Sequence, residues 1–432
     1  MKVSKLYVTS LVITYIIGLK WGYTSFISPS FAYFGYINLN PEIWPQVISF
    51  LLAITPLIYV ENDVKKPSQV VFWLLYTMVA IPAVIIPDYV RIQPLDQILW
   101  LKIAILIALF MIYSVSYIHP LAVTFIEMQP RTMFIGILFV WLIQWGIILR
   151  TFGLQLHFTQ ADDVYDLREQ YRSQVNRFSG YAINWQSKII HTFMIVWGVL
   201  NRNKTLIMLG IIGQLFIFSI TGHKSILLSA VFIFGLLFCL RKDGQGFASV
   251  FLLGLNLLMY TTFLLDTWLE TTEFTSIFVR RMLATPGLLL SYYFDFFSVN
   301  EQVHLSHSIF SFFLSYPYEK LPAFLIGDYY FNRPDLAANA NLWADAYANF
   351  GYFGIVVFTL LLCAVLYLYD SISTKHSLRF SALLMAMPTW SLVDTSFITA
   401  ILTHGILLAF LLNYLIDSQG KVDFFEKSAG YQ

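Results

Sequence analysis

Long apolar runs recur along this chain, with short polar stretches between them. Most runs hold about 17 to 25 residues, the length that a helix needs to cross a hydrocarbon core of roughly 30 Å. We therefore predict an all-α polytopic membrane protein with about 12 transmembrane helices. The predicted spans begin near Leu6, Ile43, Val70, Ile98, Thr132, Ile189, Thr205, Ile226, Phe247, Ala346, Phe380 and Ile401.

The amino-acid composition supports this class. Of the 432 residues, 58% are hydrophobic and 12% are charged, whereas an ordinary soluble domain is roughly one quarter charged. The net charge of +1 gives no indication of a nucleic-acid partner. The two cysteines, Cys239 and Cys363, lie in or near predicted spans and indicate neither a disulfide nor a metal site. We expect no cofactor.

Basic residues in the short loops predict the orientation. They fall on one face of the membrane, which the positive-inside rule makes cytoplasmic, so both termini are expected there. The first apolar run continues into aromatic residues without a small-residue cleavage site, so we interpret it as a retained anchor. The basic positions are Lys2, Lys5, Lys65, Lys66, Arg131, Arg202, Lys204, Arg241, Lys242, Lys375, Arg379, Lys421 and Lys427.

The two faces of this single membrane domain, residues 1–432, are expected to differ. The loops on the basic face are short. The outward face carries a loop at 151–188 and a larger one at 267–345, between the ninth and tenth spans. Long loops beside a membrane are more often functional than decorative. We therefore expect any chemistry on the outward face.

The smaller outward loop contains a predicted amphipathic helix within residues 162–177. Val164, Leu167 and Tyr171 recur at helical spacing, and Arg168 and Arg172 lie four residues apart. These arginines either meet lipid headgroups or bind an anionic substrate. Three acids at the start of this helix, Asp162, Asp163 and Asp166, are typical of capping rather than of a metal site.

The tight turn TGHKS, residues 221–225, places His223 and Lys224 between two predicted spans. A cation near the centre of a bilayer costs on the order of 3 kcal/mol. Either Lys224 binds an anionic group, or it extends to headgroups from a turn that Gly222 permits.

The segment FVRRMLATPG, residues 278–287, places Arg280 and Arg281 beside apolar residues in the large loop. Guanidinium groups bind phosphate oxygens bidentately and stay charged, so this pair predicts a diphosphate clamp. Adjacent helical residues point about 100° apart, so one arginine is expected on the ligand while the other anchors the loop. The loop from Tyr292 to Tyr330 is rich in Tyr and Phe, which is typical both of sugar-stacking surfaces and of interfacial belts.

The segment NLWADAYANFGYFG, residues 341–354, opens an apolar span with three polar residues on one helical face, Asn341, Asp345 and Asn349. One interpretation is that they line a cavity and bind sugar hydroxyls. The other is structural: Asn341 and Asp345 cap the helix, and Asn349 bonds to a neighbouring span.

The motifs GHKS, RRMLATPG followed by a Tyr/Phe run, and ANANLWADAYANFGYFG resemble the Wzy-type polymerases of O-antigen and capsular polysaccharide. The resemblance covers residues 202–369 and the overall topology. It implies a GT-C-like glycosyltransferase in the bacterial inner membrane that works on the outer side without nucleotide sugars. It further implies a donor glycan on undecaprenyl diphosphate, an acceptor lipid-linked repeat unit, and a chain-length-regulating membrane protein as a partner. Related O-antigen ligases often carry arginine where this chain has Lys224.

Such a transfer needs cations on the leaving diphosphate and a base for the attacking hydroxyl. We assign Arg280, Arg281 and Lys224 to the diphosphate, with Arg172 and Arg168 as weaker candidates. Asp345 and His223 are the leading base candidates, followed by His304 and His307, while Asn341, Asn349, Asn339 and Arg333 are expected to contact substrate. Many GT-C enzymes have an acid in the first outward loop, where this chain offers only Glu42. An O-antigen ligase and a flippase of lipid-linked oligosaccharide are the alternative functions.

Overall fold

The computed structural model describes residues 5–90, 93–126, 128–154 and 164–416. These residues form helices, without a β-strand in the described ranges. Eight helices there are long and apolar enough to cross a membrane, in an all-helical architecture typical of polytopic membrane proteins. Their bounds are Lys5–Phe34, Pro67–Val90, Leu95–Tyr117, Thr132–Phe152, Lys204–Thr221, Phe247–Trp268, Leu342–Lys375 and Phe397–Leu415.

Eight of the predicted span starts fall in these helices, and the other four fall in helical segments that do not qualify. Ile43 and Ile226 lie in the shorter apolar helices Ile43–Ile58 and Lys224–Cys239. Ile189 lies in a helical run over residues 177–200, and Phe380 lies in the helix Leu378–Ser391.

Helices also occupy the two predicted loops. The smaller loop contains the helix Val164–Gln174, followed by Arg177–Trp185. The larger loop contains a π-helix at Ser276–Ala284 and α-helices at Thr285–Val299 and Pro322–Phe331. Asp162 and Asp163 lie outside the described residues, and the side chain of Asp166 is not among those described.

The helices of the predicted membrane domain group into two compact units. Unit 1 comprises Met1–Pro120, Cys239–Asp370 and Thr389–Ala400, and unit 2 comprises Leu121–Phe238, Ser371–Pro388 and Ile401–Gln432. Arg280, Arg281, Arg333, Asp345 and the polar residues near it belong to unit 1, whereas Arg168, Arg172, His223 and Lys224 belong to unit 2.

The span Pro67–Val90 forms the centre of unit 1. Most of its residues are apolar, and every described residue in it is buried, as expected for a helix that other helices surround. The hydroxyls of Tyr15 and Tyr76 tie it to its neighbours by donating to the carbonyls of Thr77 and Ala53, both at 2.7 Å. Pro82 lacks the N–H that would continue the α-helical ladder, and a π-helical turn, Tyr76–Ala80, precedes it.

Gly287 brings the helix Thr285–Val299 against this central span. A Cβ atom at Gly287 would lie 2.3 Å from the carbonyl oxygen of Pro82, which no side chain tolerates. This close approach fixes the position of the helix Thr285–Val299 beside the central span.

A buried ion pair lies in the spans of unit 1. The ammonium of Lys102 contacts the carboxylate of Asp88 and donates to the hydroxyl of Ser49 at 2.6 Å. The side chains of Lys102 and Asp88 are each 3% exposed. Each charge of a buried ion pair offsets the cost of removing the other from water, so loss of one partner destabilises the fold.

Asp88→Asn is therefore expected to lower the free energy of unfolding by about 3–5 kcal/mol, since it leaves Lys102 buried without its carboxylate. Equilibrium unfolding in mixed detergent micelles measures the change. Ser49→Ala is the matched control with a smaller expected loss, because it removes a single hydrogen bond from the ammonium, worth about 1.5–3 kcal/mol. An Asp88→Asn protein as stable as the wild type would contradict a compensating role for the pair.

Candidate functional site

The first cluster of unit 1 forms at a kink in the helix Leu342–Ile372. Phe350 and Gly351 leave helical geometry there, with φ values of −147° and 59°, and a positive φ favours glycine. The kink frees two carbonyls that the segment 302–307, which we call the strap, then satisfies. The amides of Val303 and His304 donate to the carbonyls of Ala348 and Asn349 at 2.9 and 3.3 Å.

Asp345 lies one helical turn before the kink, with a side chain that is 8% exposed. The side-chain amide of Asn349 donates to the backbone carbonyl of Asp345 at 2.8 Å and to the carboxylate of Asp345 at 3.2 Å. The backbone N–H of Phe397 also faces the carboxylate. The side-chain oxygen of Asn349 accepts from the amide of Leu305 at 2.7 Å, so Asn349 connects the strap to Asp345.

His307, at the end of the strap, faces the same carboxylate. Its Nε2 lies 3.8 Å from Oδ1 of Asp345, and its side chain is 15% exposed. Burial lowers the pKa of His307 below its ordinary value of 6.5, so the ring is neutral at pH 7. Its Nδ1 is buried and has no hydrogen-bond partner among the described residues. A neutral imidazole beside a carboxylate can accept a proton.

Asn341 has a structural place in the same helix. Its side-chain oxygen accepts from the amides of Trp343 and Ala344, both at 3.0 Å, and so caps the helix that begins at Leu342. Its amide nitrogen donates to the carbonyl of Pro286 at 2.9 Å. Asn341 is therefore a link to the helix Thr285–Val299, with both ends of its side chain engaged by protein.

The second cluster surrounds Arg280, which lies in a π-helix, a geometry frequent at functional sites. Its guanidinium is buried against an aromatic segment, 4.1 Å from the ring centroid of Phe31, 5.7 Å from that of Tyr36 and 5.9 Å from that of Phe34. It donates to the hydroxyl of Ser276 at 3.0 and 2.7 Å. We call this group of residues the arginine cage.

Arg280 pairs with no carboxylate in the described part of the chain. Burial lowers its pKa from the ordinary value, yet an arginine stays protonated in proteins. A cation in this setting is stabilised by the faces of the rings, but no carboxylate in the described ranges neutralises it. The arginine cage therefore presents a positive charge that suits an anionic ligand.

The helix Thr285–Val299 connects the cage to the Asp345 cluster. The hydroxyl of Thr285 is 2.7 Å from that of Tyr36 and donates to the carbonyl of Arg280 at 2.7 Å. The next residue, Pro286, accepts the hydrogen bond from Asn341. A continuous series of contacts thus joins the buried guanidinium to the carboxylate and the strap.

Two further arginines of unit 1 differ in their relation to the cage. Arg333 is exposed and lies 5.4 Å from the centroid of the Phe34 ring, so it shares that ring with Arg280. Arg281 is exposed and makes no hydrogen bond or ion pair with the described residues. His304 and Asn339 are also exposed, and the ring of His304 lies 5.5 Å from that of Phe350.

Unit 2 assembles the remaining predicted residues around the turn at Gly222. Arg168 donates through Nε and Nη2 to the carbonyl of Gly222 at 3.1 and 3.0 Å, while Arg172 is exposed. The helix Lys224–Cys239 begins at the partly buried Lys224. Burial, with smaller effects of the charges of Arg168, Lys188 and Arg172, lowers the pKa of His223 to about 4, so His223 is neutral at pH 7.

Sequence reasoning missed the aromatic residues of the cage and one carboxylate. Phe31, Phe34 and Tyr36 belong to the run FAYFGY, whose aromatic density at the end of the first span was an available signal. The carboxylate of Asp295 is contacted by the amide of Gln93 and the hydroxyl of Tyr330. The ring of Tyr330 stacks on that of Tyr292, with a centroid distance of 4.4 Å. This group adds polar and aromatic surface to the large loop.

Comparisons with protein-family models, curated proteins and solved structures find no match. Any function must therefore be argued from the residues of the two clusters.

Proposed function

We propose that this protein is a membrane glycosyltransferase that polymerises oligosaccharide repeat units carried on undecaprenyl diphosphate. The observation that carries the proposal is the buried guanidinium of Arg280. It lies against aromatic rings but forms no ion pair with a carboxylate among the described residues. A buried charge without compensation is costly. The diphosphate of a lipid-linked sugar would supply the missing negative charge in a bilayer setting.

The diphosphate is the leaving group of the proposed reaction. Arg280 and Arg333, which share the ring of Phe34, act as its two cationic contacts. Guanidinium groups form bidentate hydrogen bonds with phosphate oxygens and stabilise the charge that develops as the bond to the sugar breaks. Arg281, the next residue in the chain, lies on the exposed surface of the same helix.

The Asp345 and His307 pair acts as the base. A hydroxyl of the acceptor sugar attacks the anomeric carbon of the donor, a new glycosidic C–O bond forms, and the C–O bond to the diphosphate breaks. The hydroxyl proton passes to the pair, and the electron pair of the broken bond stays on the diphosphate near Arg280. Nε2 of His307 lies 3.8 Å from Oδ1 of Asp345. Catalytic hydrogen bonds are often this long in ligand-free enzymes and shorten when substrate binds.

The wider proposal rests on the resemblance to Wzy-type polymerases and on the positive-inside rule. The enzyme has a GT-C-like architecture, lies in a bacterial inner membrane with both termini in the cytoplasm, and works on the outer face. It needs no nucleotide sugar, because the lipid diphosphate already activates the donor. A chain-length-regulating membrane protein is proposed as its partner.

A glycan ladder on a gel tests the function in cells that lack the gene. Deletion is expected to leave single repeat units on the surface anchor, and the wild-type gene to restore the full ladder, because polymerisation alone is lost. Membrane levels are checked by immunoblot. Loss of even the single-unit product on deletion would contradict polymerisation and favour ligation or flipping.

A further inference from the structure

The strap continues into an uncharged segment, SIFSFFL, residues 308–314, which we call the aromatic finger. It contains a short 3₁₀-helix, Ile309–Phe312. The side chains of Ile309, Phe312 and Phe313 are 62%, 88% and 80% exposed. Large apolar side chains that protrude together from a loop are unusual on a water-facing surface, where such patches mark interaction sites.

The finger is anchored at a defined level of a membrane span. The strap that carries it is hydrogen-bonded to the carbonyls of Ala348 and Asn349, at the kink of the helix Leu342–Ile372. From Gly351 to Lys375 this span extends about 36 Å at 1.5 Å per residue, which by itself covers a hydrocarbon core of roughly 30 Å. The length of the span therefore fits a hydrocarbon core whose boundary lies at the kink, next to the root of the finger.

The apolar surface continues from the span. Below the kink, Phe353, Val356 and Leu360 are exposed on a helix apolar enough to cross a membrane, so their side chains face acyl chains. The finger extends this lipid-facing surface from the same kink. Its apolar side chains, without a charge in residues 308–314, fit acyl chains.

We propose that the aromatic finger is a membrane-docking surface, with Phe312 and Phe313 inserted among the acyl chains of the bilayer. Transfer of two phenylalanine side chains from water into hydrocarbon is favourable, so their insertion holds the segment at the membrane. Because the strap and the finger are consecutive, docking also holds His307 at the depth of Asp345. The docking surface does not depend on the proposed transferase activity.

Site-specific fluorescence in vesicles tests the docking. In a Cys239→Ser/Cys363→Ser background, Phe312→Cys and, separately, Phe313→Cys are labelled with an environment-sensitive NBD dye. The protein is placed in phosphatidylcholine/phosphatidylglycerol vesicles with iodide on both sides. Asp335→Cys, at an exposed polar position of the same unit, is the water-facing control, and Leu360→Cys is the lipid-facing control.

The labels at 312 and 313 are expected to emit at shorter wavelength than the label at 335. We expect nitroxide lipids to quench them strongly, as at 360, and iodide to quench them several-fold less than at 335. Equal iodide quenching at 312, 313 and 335 would overturn the proposal, because the finger would face water. Protection from both quenchers would also overturn it, because a second copy or another protein would then cover the finger.

Discussion

Arg280→Ala is expected to lower the rate of glycan polymerisation by about 10²–10³-fold, the usual cost of removing one group that stabilises transition-state charge. Arg280 is the buried cation of the cage, and it forms no ion pair with a carboxylate among the described residues. Since the leaving diphosphate gains charge as the sugar bond breaks, the loss should fall mainly on kcat. Steady-state kinetics of the purified enzyme with a lipid-linked repeat unit give kcat and KM.

The variants at Arg280 separate charge from geometry. Arg280→Lys keeps the charge but loses the planar, bidentate group that stacks on Phe31, so an intermediate loss is expected. Arg333→Ala should cause a smaller loss than Arg280→Ala, because Arg333 is exposed and meets the cage only at Phe34. Arg177→Ala, at an exposed arginine outside both clusters of unit 1, is the matched control.

Membrane level and elution in detergent show whether each protein is folded. If folded Arg280→Ala retained wild-type kcat and KM while Arg177→Ala behaved as expected, the cage would have no part in binding the diphosphate. The buried cation would then need a structural explanation.

The second large effect concerns the base. Asp345→Asn and His307→Gln are each expected to lower kcat by about 10²–10⁴-fold, the usual contribution of general base catalysis. The double variant should lose little more than either single variant, because residues that act as one unit are not additive. His119→Gln, at an exposed histidine of the same unit, is the matched control. Full additivity of the two losses would contradict a shared role.

The pH dependence of the rate gives an independent readout. Burial lowers the pKa of His307 from 6.5, and the base must be unprotonated to work. The rate should therefore fall on the acidic side as His307 takes up a proton, with the midpoint of this limb below pH 6.5. His307→Gln should remove this acidic limb from the residual rate. A limb centred above pH 6.5, or one that persists in His307→Gln, would exclude His307 as the titrating group.

The sequence indicates the helical spans well because hydropathy is a local property. An apolar run of 20 residues needs no partner to become a candidate span, and eight predicted starts fall in such helices. Hydropathy predicts a span less well where the helix is short or interrupted. Ile43 begins an apolar helix that ends at Ile58, and the larger loop proved to contain the buried helix Thr285–Val299, whose burial depends on the central span beside it.

The candidate chemistry shows the same division. Sequence alone identified the residue types: adjacent arginines before a Tyr/Phe run, and polar residues at helical spacing around Asp345. It also anticipated that Arg280 and Arg281 would point in different directions, since that follows from helix geometry. It left open which arginine is buried.

Only the tertiary structure decided the partners. Tyr36 meets Thr285 across 249 positions of the chain, and Arg280 meets Phe31 through the same packing. Local patterns carry no information on such contacts, because they arise when distant apolar surfaces pack together. His307 likewise ranked behind His223 in the sequence, and its position beside Asp345 depends on the kink at Gly351 and the strap bound there. Hydropathy thus determined that the chain forms membrane helices, whereas long-range packing decided which polar side chains share a site.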